Sequence, residues 1–214
     1  MELIPFAVQA SSPCPTHADL ALALAAEFRR PAPAAAGALD ALAAPLTAVR
    51  GEPPAEQLAA CADLFADRFD SSDLEWAGIQ DLLLDRVVLA GFGHPLALAV
   101  ACVESARRAG ITLGVVAGGA GCFVAHPAME EPLLVDVTGR ARVVDAGGRT
   151  ADVGWQCSHQ VAARILNRIG ERAERTGNLA WALLAAELRL RLPFARPVLE
   201  ELRHRLAHLR ARLN

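Results

Sequence analysis

The segment Gly91-Phe92-Gly93-His94-Pro95-Leu96-Ala97-Leu98-Ala99-Val100 decides the fold of this chain. It joins two helical patterns through a turn rich in glycine. A proline is well suited to the first turn of a helix, where its missing N–H would have no intrahelical partner. The pattern therefore predicts a helix over residues 95–109, with Gly110 at its C-terminal end.

The chain before this segment has helical periodicity broken by prolines. Residues 18–30, 36–49 and 55–69 are predicted to form three short helices that make a cap. Ser72-Asp73-Leu74-Glu75 has the pattern of a capping box and predicts a further helix that continues to about Ala90. Residues 1–17 contain three prolines and no periodicity, and are expected to pack irregularly or fray.

The periodicity changes from helical to extended after Gly110. Short apolar runs at residues 111–116, 121–126, 132–137 and 142–145 predict an antiparallel meander. Helical periodicity resumes at Ser158, stops and restarts at Gly177-Asn178, and ends in a leucine stripe formed by Leu199, Leu202, Leu206 and Leu209. If no other helix covers this stripe, it would dock a partner or form a homodimer through the C-terminal helices.

Composition narrows the classes of function. The chain has 214 residues, is 53% hydrophobic and carries a formal charge of -3, which favours a folded globule and disfavours nucleic acid as a partner. All basic residues are Arg and alanine is abundant, which is typical of a high-GC bacterial genome. The longest apolar run is interrupted by glycine and proline and no signal peptide is recognisable, so no membrane span and a cytoplasmic location are expected.

The cysteine pattern argues against a disulfide framework or a zinc ribbon. The five cysteines are odd in number, widely spread and without CxxC spacing, so we expect reduced thiols. Cys122 and His126 would share one strand face, and Asp136 or His94 could complete a metal-binding set, but no paired ligand spacing supports this reading. No metal and no cofactor are therefore predicted.

Six segments together resemble the bacterial SirB-type branch of the transglutaminase-like proteins over roughly residues 18–192. They are Leu83-Leu84-Asp85-Arg86-Val87, Gly93-His94-Pro95-Leu96-Ala97-Leu98, Ala106-Arg107-Arg108-Ala109-Gly110, Cys122-Phe123-Val124, Leu134-Val135-Asp136 and Gln160-Val161-Ala162-Ala163-Arg164-Ile165-Leu166-Asn167. The resemblance implies an α+β fold in three parts. These are a leader and helical cap (1–70), a transglutaminase-like (papain-like) core with a central helix packed on a short antiparallel sheet (71–156), and a tetratricopeptide-like helical tail (157–214).

The resemblance also implies which positions would carry chemistry. The superfamily uses a cysteine thiolate at the start of a helix, a histidine base on the facing strand and an aspartate on the next strand. These positions fall on Pro95, Cys122 and Asp136, so two of the three have changed. The favoured interpretation is a pseudoenzyme that acts as a binding or scaffold module, with a protein or a small peptide or acyl ligand in the core cleft.

A second hypothesis is that the protein is an enzyme. His94 directly precedes the helix-initiating proline, where the helix dipole disfavours its cationic form, so it could serve as a base for the Cys122 thiol with Asp136 as the third member. Such a swapped arrangement would make a cysteine-dependent acyltransferase or amide hydrolase, for example in specialised metabolism. Against it, a strand cysteine lacks the helix-terminal stabilisation of a thiolate, and free cysteines are usually buried. Whether the protein is an enzyme therefore stays open at this point.

Overall fold

The fold is a mixed α+β architecture. The helix Pro95–Arg108 lies between other helices and a small antiparallel sheet. A computed structural model describes residues 4–30, 32–72, 78–118, 121–129, 133–146 and 153–212. The helices are α1 Phe6–Ser11, α2 His17–Phe28, α3 Ala35–Leu46, α4 Pro54–Arg68, α5 Leu84–Ala90, α6 Pro95–Arg108, α7 Ser158–Arg175, α8 Leu179–Arg189 and α9 Arg196–Ala211. The strands are β1 Asp70–Ser71, β2 Phe92–Gly93, β3 Gly114–Gly118, β4 Gly121–Ala125, β5 Leu133–Asp136, β6 Arg142–Asp145 and β7 Val153–Gln156.

The chain divides into two compact units. One contains the described residues of 1–31 and 158–214, and the other those of 32–157. Within the first unit α2 packs on α7, and the rings of Phe28 and Trp181 meet edge to face at 5.6 Å between centroids. In this division α1 and α2 group with the helical tail, whereas α3, α4, α5 and α6 group with the sheet.

Most predicted helix ends are confirmed, and each has a local cause. Thr16 Oγ1 accepts a hydrogen bond from the Asp19 amide at 3.0 Å and so caps α2. Asn178 Oδ1 accepts one from the Trp181 amide at 3.2 Å and caps α8. The expectation of an irregular leader was wrong, because α1 forms directly after Pro5 and buries the side chain of Phe6 completely.

The segment before α5 is only partly confirmed. A 3₁₀ helix at Ile79–Leu82 precedes α5, where a continuous helix was predicted. The predicted capping box at residues 72–75 extends outside the described residues, since 73–77 are not among them. Among the residues that the structure describes, every helix is too short or too polar to span a lipid bilayer.

The main sheet has the strand order β6-β5-β4-β3-β7, with every neighbouring pair antiparallel. The predicted meander supplies β3 to β6. Strand β7 was missed, because Val153-Gly154-Trp155-Gln156 has neither a β-branched run nor clear alternation. Gly118 pairs with Gly121 at the end of the β3–β4 ladder, and residues 119–120 lie outside the described part.

Both faces of this sheet carry buried side chains, among them Val116 and Leu134 on one face. The face that we call the inner face carries Val115, Val124 and Val135, each 0% exposed, and α6 packs on its central strands β3 and β4. The outer face carries one row of directly paired residues that crosses all five strands: Arg142, Asp136, Phe123, Val116 and Trp155. This row ends on a tryptophan that is 54% exposed.

Candidate functional site

The predicted site begins where the short parallel pair β1–β2 leads into α6. Gly93 pairs with Ser71, and a Cβ at Gly93 would lie 2.5 Å from Cγ2 of Val87, so only glycine fits against α5 there. The amide of His94 then donates to the carbonyl of Asp81 at 2.8 Å. These contacts fix the backbone immediately before Pro95, which occupies the first turn of α6 as predicted.

The His94 side chain acts as the N-terminal cap of α6. It is 3% exposed, and its Nδ1 accepts a hydrogen bond from the Leu96 amide at 3.1 Å. An Nδ1 that accepts cannot carry the proton, so the neutral ring holds its proton on Nε2. The one lone pair of the ring that could take a proton is thus already bonded to the helix. In this arrangement His94 is a structural cap and is poorly suited to be a general base.

Cys122 lies on the inner face of β4, opposite Ala117 in β3, and is 5% exposed. Because its neighbour Phe123 points to the outer face, Cys122 points towards the helical layer. It is in the middle of the sheet and has no helix N-terminus of its own to stabilise a thiolate. Its burial and position fit a structural cysteine.

Asp136 lies on the other face. It pairs with Phe123 across the β4–β5 ladder, so its side chain is on the outer face. Its Oδ1 accepts hydrogen bonds from the amide of Thr138 at 2.9 Å and from the Thr138 hydroxyl at 2.5 Å, and Arg142 is 4.0 Å from its Oδ2. The carboxylate therefore orders the turn that follows β5, and the sheet separates it from Cys122.

His126, the remaining residue of the metal-binding set that the sequence made conceivable but did not favour, follows β4. Its Nδ1 accepts a hydrogen bond from the Ala128 amide at 3.1 Å, and partial burial lowers its pKa from the usual value. Within the described ranges, no group of three or more His, Cys, Asp or Glu side chains is placed to hold a metal ion.

A surface that sequence reasoning missed lies around Trp155. A Cβ at Gly114 would be 2.6 Å from Cζ3 of the Trp155 ring, so the indole lies against the bare backbone of β3 while about half of the side chain stays exposed. In the sequence, the one signal for this surface was a tryptophan beside Gly154. That signal is weak, because the sequence does not show that β7 pairs with β3.

Among the described residues β7 is the last strand of the sheet, and it carries a polar feature of its own. The side-chain amide of Gln156 donates to the carbonyl of Gly154 at 3.0 Å, within the same strand. The same amide also lies 3.4 Å from the carbonyl oxygen of Trp155, so the Gln156 side chain satisfies main-chain acceptors of its own strand. Gly154 and Trp155 are both exposed.

No protein-family model, curated protein or solved structure matches this chain.

Proposed function

We propose that this chain is a non-catalytic binding module built on a transglutaminase-like core with a tetratricopeptide-like tail. The observation that carries the proposal is the register of β4 and β5, in which Asp136 pairs with Phe123 and so lies on the opposite face from Cys122. A cysteine, histidine and aspartate must share one side of a sheet to act together. The hydrogen bond from Leu96 to His94 adds support, because it occupies the nitrogen that a base would use.

The family assignment rests on the order of elements beside the sequence motifs. A helix entered through Gly93-His94-Pro95 is followed by an antiparallel meander and then by paired helices, which is the order that the resemblance implies. Pro95 stands where the family has its cysteine nucleophile, and Cys122 stands where it has its histidine base. Both substitutions favour loss of the reaction over its retention.

We place the binding surface at β7 and commit to an extended peptide segment as its occupant. Such a segment would add to the edge of the sheet, and its main-chain N–H would replace the Gln156 amide at the carbonyl of Gly154. Trp155 would then supply the apolar contact, and because its ring already lies against Gly114, ordering it on binding should cost less conformational entropy. Loss of the Gln156 hydrogen bond is compensated by the new one.

Alkylation of the native protein tests the non-catalytic half of this proposal. Iodoacetamide is added over a pH series spanning neutrality, and the labelled cysteines are mapped by mass spectrometry. Exposed Cys14 and Cys157 serve as internal controls that must react. We expect Cys122 to be labelled only after denaturation.

The competing function is the cysteine-dependent acyltransferase or amide hydrolase. The observation in its favour is that Cys122 is on the inner face, the same face on which α6, the helix opened by His94, packs. Rapid labelling of Cys122 near neutral pH, slowed by His94→Ala, would favour that enzyme over the non-catalytic proposal.

Peptide selection tests the binding half. A random peptide display library is panned on the native protein, and enriched peptides are then titrated against Trp155→Ala and against Val198→Ala, an exposed apolar control that is 38% accessible on α9. We expect Trp155→Ala to weaken binding at least tenfold while Val198→Ala leaves it unchanged. Equal affinities for the two variants would contradict a site at β7.

A further inference from the structure

The last helix carries a pair of histidines that no part of the proposed function uses. His204 and His208 are four residues apart on α9, so their side chains lie on one face of the helix, about 6 Å apart along its axis. Both side chains are exposed, whereas Leu202, Leu206 and Leu209 on the opposite face are buried. The two imidazole rings therefore project into solvent.

The packing of α9 holds this pair on a fixed backbone. Leu206 and Leu209 pack on α8 around Ala186. Leu209 directly follows His208 and is 2% exposed, so the last turn of the helix, which carries His208, is anchored as well. Ligands on a packed helix are already in position before a metal binds, and this lowers the entropic cost of binding.

The residues next to the pair leave both rings accessible. Ala207 and Ala211 share the solvent side of α9 with the two histidines, and both are exposed. A methyl group is too short to cover an imidazole ring. An ion from solvent can therefore approach both rings from the same side.

The nearby arginines are paired with carboxylates of the two preceding helices. Arg205 and Arg212 lie 2.8 and 3.4 Å from the carboxylate of Glu174 on α7. Arg210 lies 2.8 Å from the carboxylate of Glu187 on α8. These pairs reduce the positive charge beside the histidines, so a cation there meets less repulsion than the number of arginines on α9 suggests.

Two histidines at this spacing are a chelating pair. Metalloprotease helices of the HExxH type use the same separation of four residues to bind zinc through two imidazole nitrogens. Imidazole suits Zn²⁺, Cu²⁺ and Ni²⁺, whereas Mg²⁺ and Ca²⁺ prefer oxygen ligands. Of the six histidines in the sequence, only His204 and His208 have helical spacing.

We infer that His204 and His208 together bind one divalent transition-metal ion on the solvent side of α9. In the described part of the chain no third His, Cys, Asp or Glu is placed to join them, so water fills the remaining coordination positions. The affinity comes from chelation, because binding to one imidazole holds the ion at a high effective concentration beside the other. The site is in the helical tail, so it stands whether or not the core is catalytic.

Titration with Ni²⁺ tests this inference. The exposed thiols of Cys14 and Cys157 are first alkylated, since thiolates also bind such ions. Ni²⁺ is then added in a mildly alkaline buffer, where imidazole is neutral, and binding is followed by isothermal titration calorimetry. We expect one Ni²⁺ per chain, no change of mass in light scattering, and no binding of Mg²⁺. Half a Ni²⁺ per chain with a doubled mass would overturn a chelate formed within one chain.

Variants test whether the spacing of the two histidines matters. His204→Ala and His208→Ala are each expected to weaken Ni²⁺ binding at least tenfold, because only one imidazole is left. The matched control combines Arg203→His with His208→Ala, which keeps two histidines but places them about 100° apart around the helix. It should bind as weakly as His208→Ala. The inference is overturned if this control binds as tightly as the native protein, or if the native protein binds no tighter than the single variants.

Thermal unfolding gives a second readout that depends on the folded helix. Ni²⁺ held by the pair binds the folded state better than the unfolded chain, so it should raise the unfolding midpoint of the native protein. The midpoint of His204→Ala should rise much less, while without metal it should match that of the native protein because the side chain is exposed. Equal increases in the two proteins would place the bound ion elsewhere and contradict the site.

Discussion

Asp136 lies directly opposite Phe123 in the β4–β5 ladder, so its carboxylate and the thiol of Cys122 are on different faces of the sheet. The separation follows from the two-residue period of a strand, in which adjacent side chains alternate between faces. Moving Asp136 to the face of Cys122 would need a shift of one residue in register, which would also move the buried Val135 from the inner face to the outer face. The packing of the sheet therefore holds the two residues apart.

The contact between Gly114 and Trp155 gives a steric prediction. Gly114→Ala would place a methyl group 2.6 Å from the indole, so the ring must move and we expect a loss of about 1–3 kcal/mol in the free energy of unfolding. Gly154→Ala is the matched control, because no heavy atom lies within 4 Å of a Cβ at that position. Urea denaturation followed by tryptophan fluorescence measures both.

A double variant identifies the cause of that loss. In a Trp155→Ala background, Gly114→Ala should cost much less, since the clashing ring is gone. An unchanged cost in that background would show that the methyl group disturbs the backbone of β3 and not the indole.

The carboxylate of Glu104, on α6, should make the stability of the protein depend on pH. Burial raises the pKa of Glu104, but hydrogen bonds and charge from Arg107 and Arg108 outweigh it and lower the pKa below its usual value. A lowered folded-state pKa stabilises the protein above the unfolded-state pKa, and this contribution is lost as pH falls through the folded-state value. We therefore expect Glu104→Gln to flatten the acid side of the stability profile.

The size of this effect at neutral pH follows from the contacts. Glu104 is 2% exposed and Arg108 also binds Asp40 at 2.6 Å on α3, so Glu104→Gln should cost about 2–3 kcal/mol. This is less than for a fully buried pair, because Arg107 is 55% exposed. Glu200→Gln, whose partner Arg196 is solvated, is expected to cost about 0–1 kcal/mol. Equal losses in the two variants would contradict the role given to Glu104.

The cap formed by His94 can be separated from a catalytic role. His94→Ala removes the acceptor of the Leu96 amide and should destabilise the protein by about 1–2 kcal/mol, whereas His94→Asn offers another capping oxygen and should recover part of that. Thermal unfolding monitored by circular dichroism measures the series. If His94→Asn were no better than His94→Ala, the side chain would matter for packing alone.

The leucine stripe of α9 is covered within the chain. Leu206 and Leu209 pack on α8 around Ala186, together with Leu179, Leu183 and Leu190. Leu206→Ala is therefore expected to cost about 2–5 kcal/mol in unfolding free energy without changing the mass measured by light scattering. Val198→Ala, exposed on the same helix, should change neither. A change of mass in Leu206→Ala alone would restore the predicted homodimer through the C-terminal helices.

The sequence by itself determined the local structure of this protein. Prolines, glycines and capping residues affect the backbone only within about one helical turn. The starts of α2 at His17 and of α6 at Pro95, and the break at Gly177-Asn178, could therefore be predicted. The change of period after Gly110 likewise predicted β3 to β6. These signals need no knowledge of distant residues.

The tertiary structure alone decided which residues meet. Strand β7 forms because β3 offers it a partner and Gly114 leaves room for Trp155, neither of which is visible in four residues of sequence. The register that separates Cys122 from Asp136 and the packing of α2 on α7 are likewise long-range results. Their physical cause is the burial of side chains from segments far apart in the chain, which local periodicity does not encode.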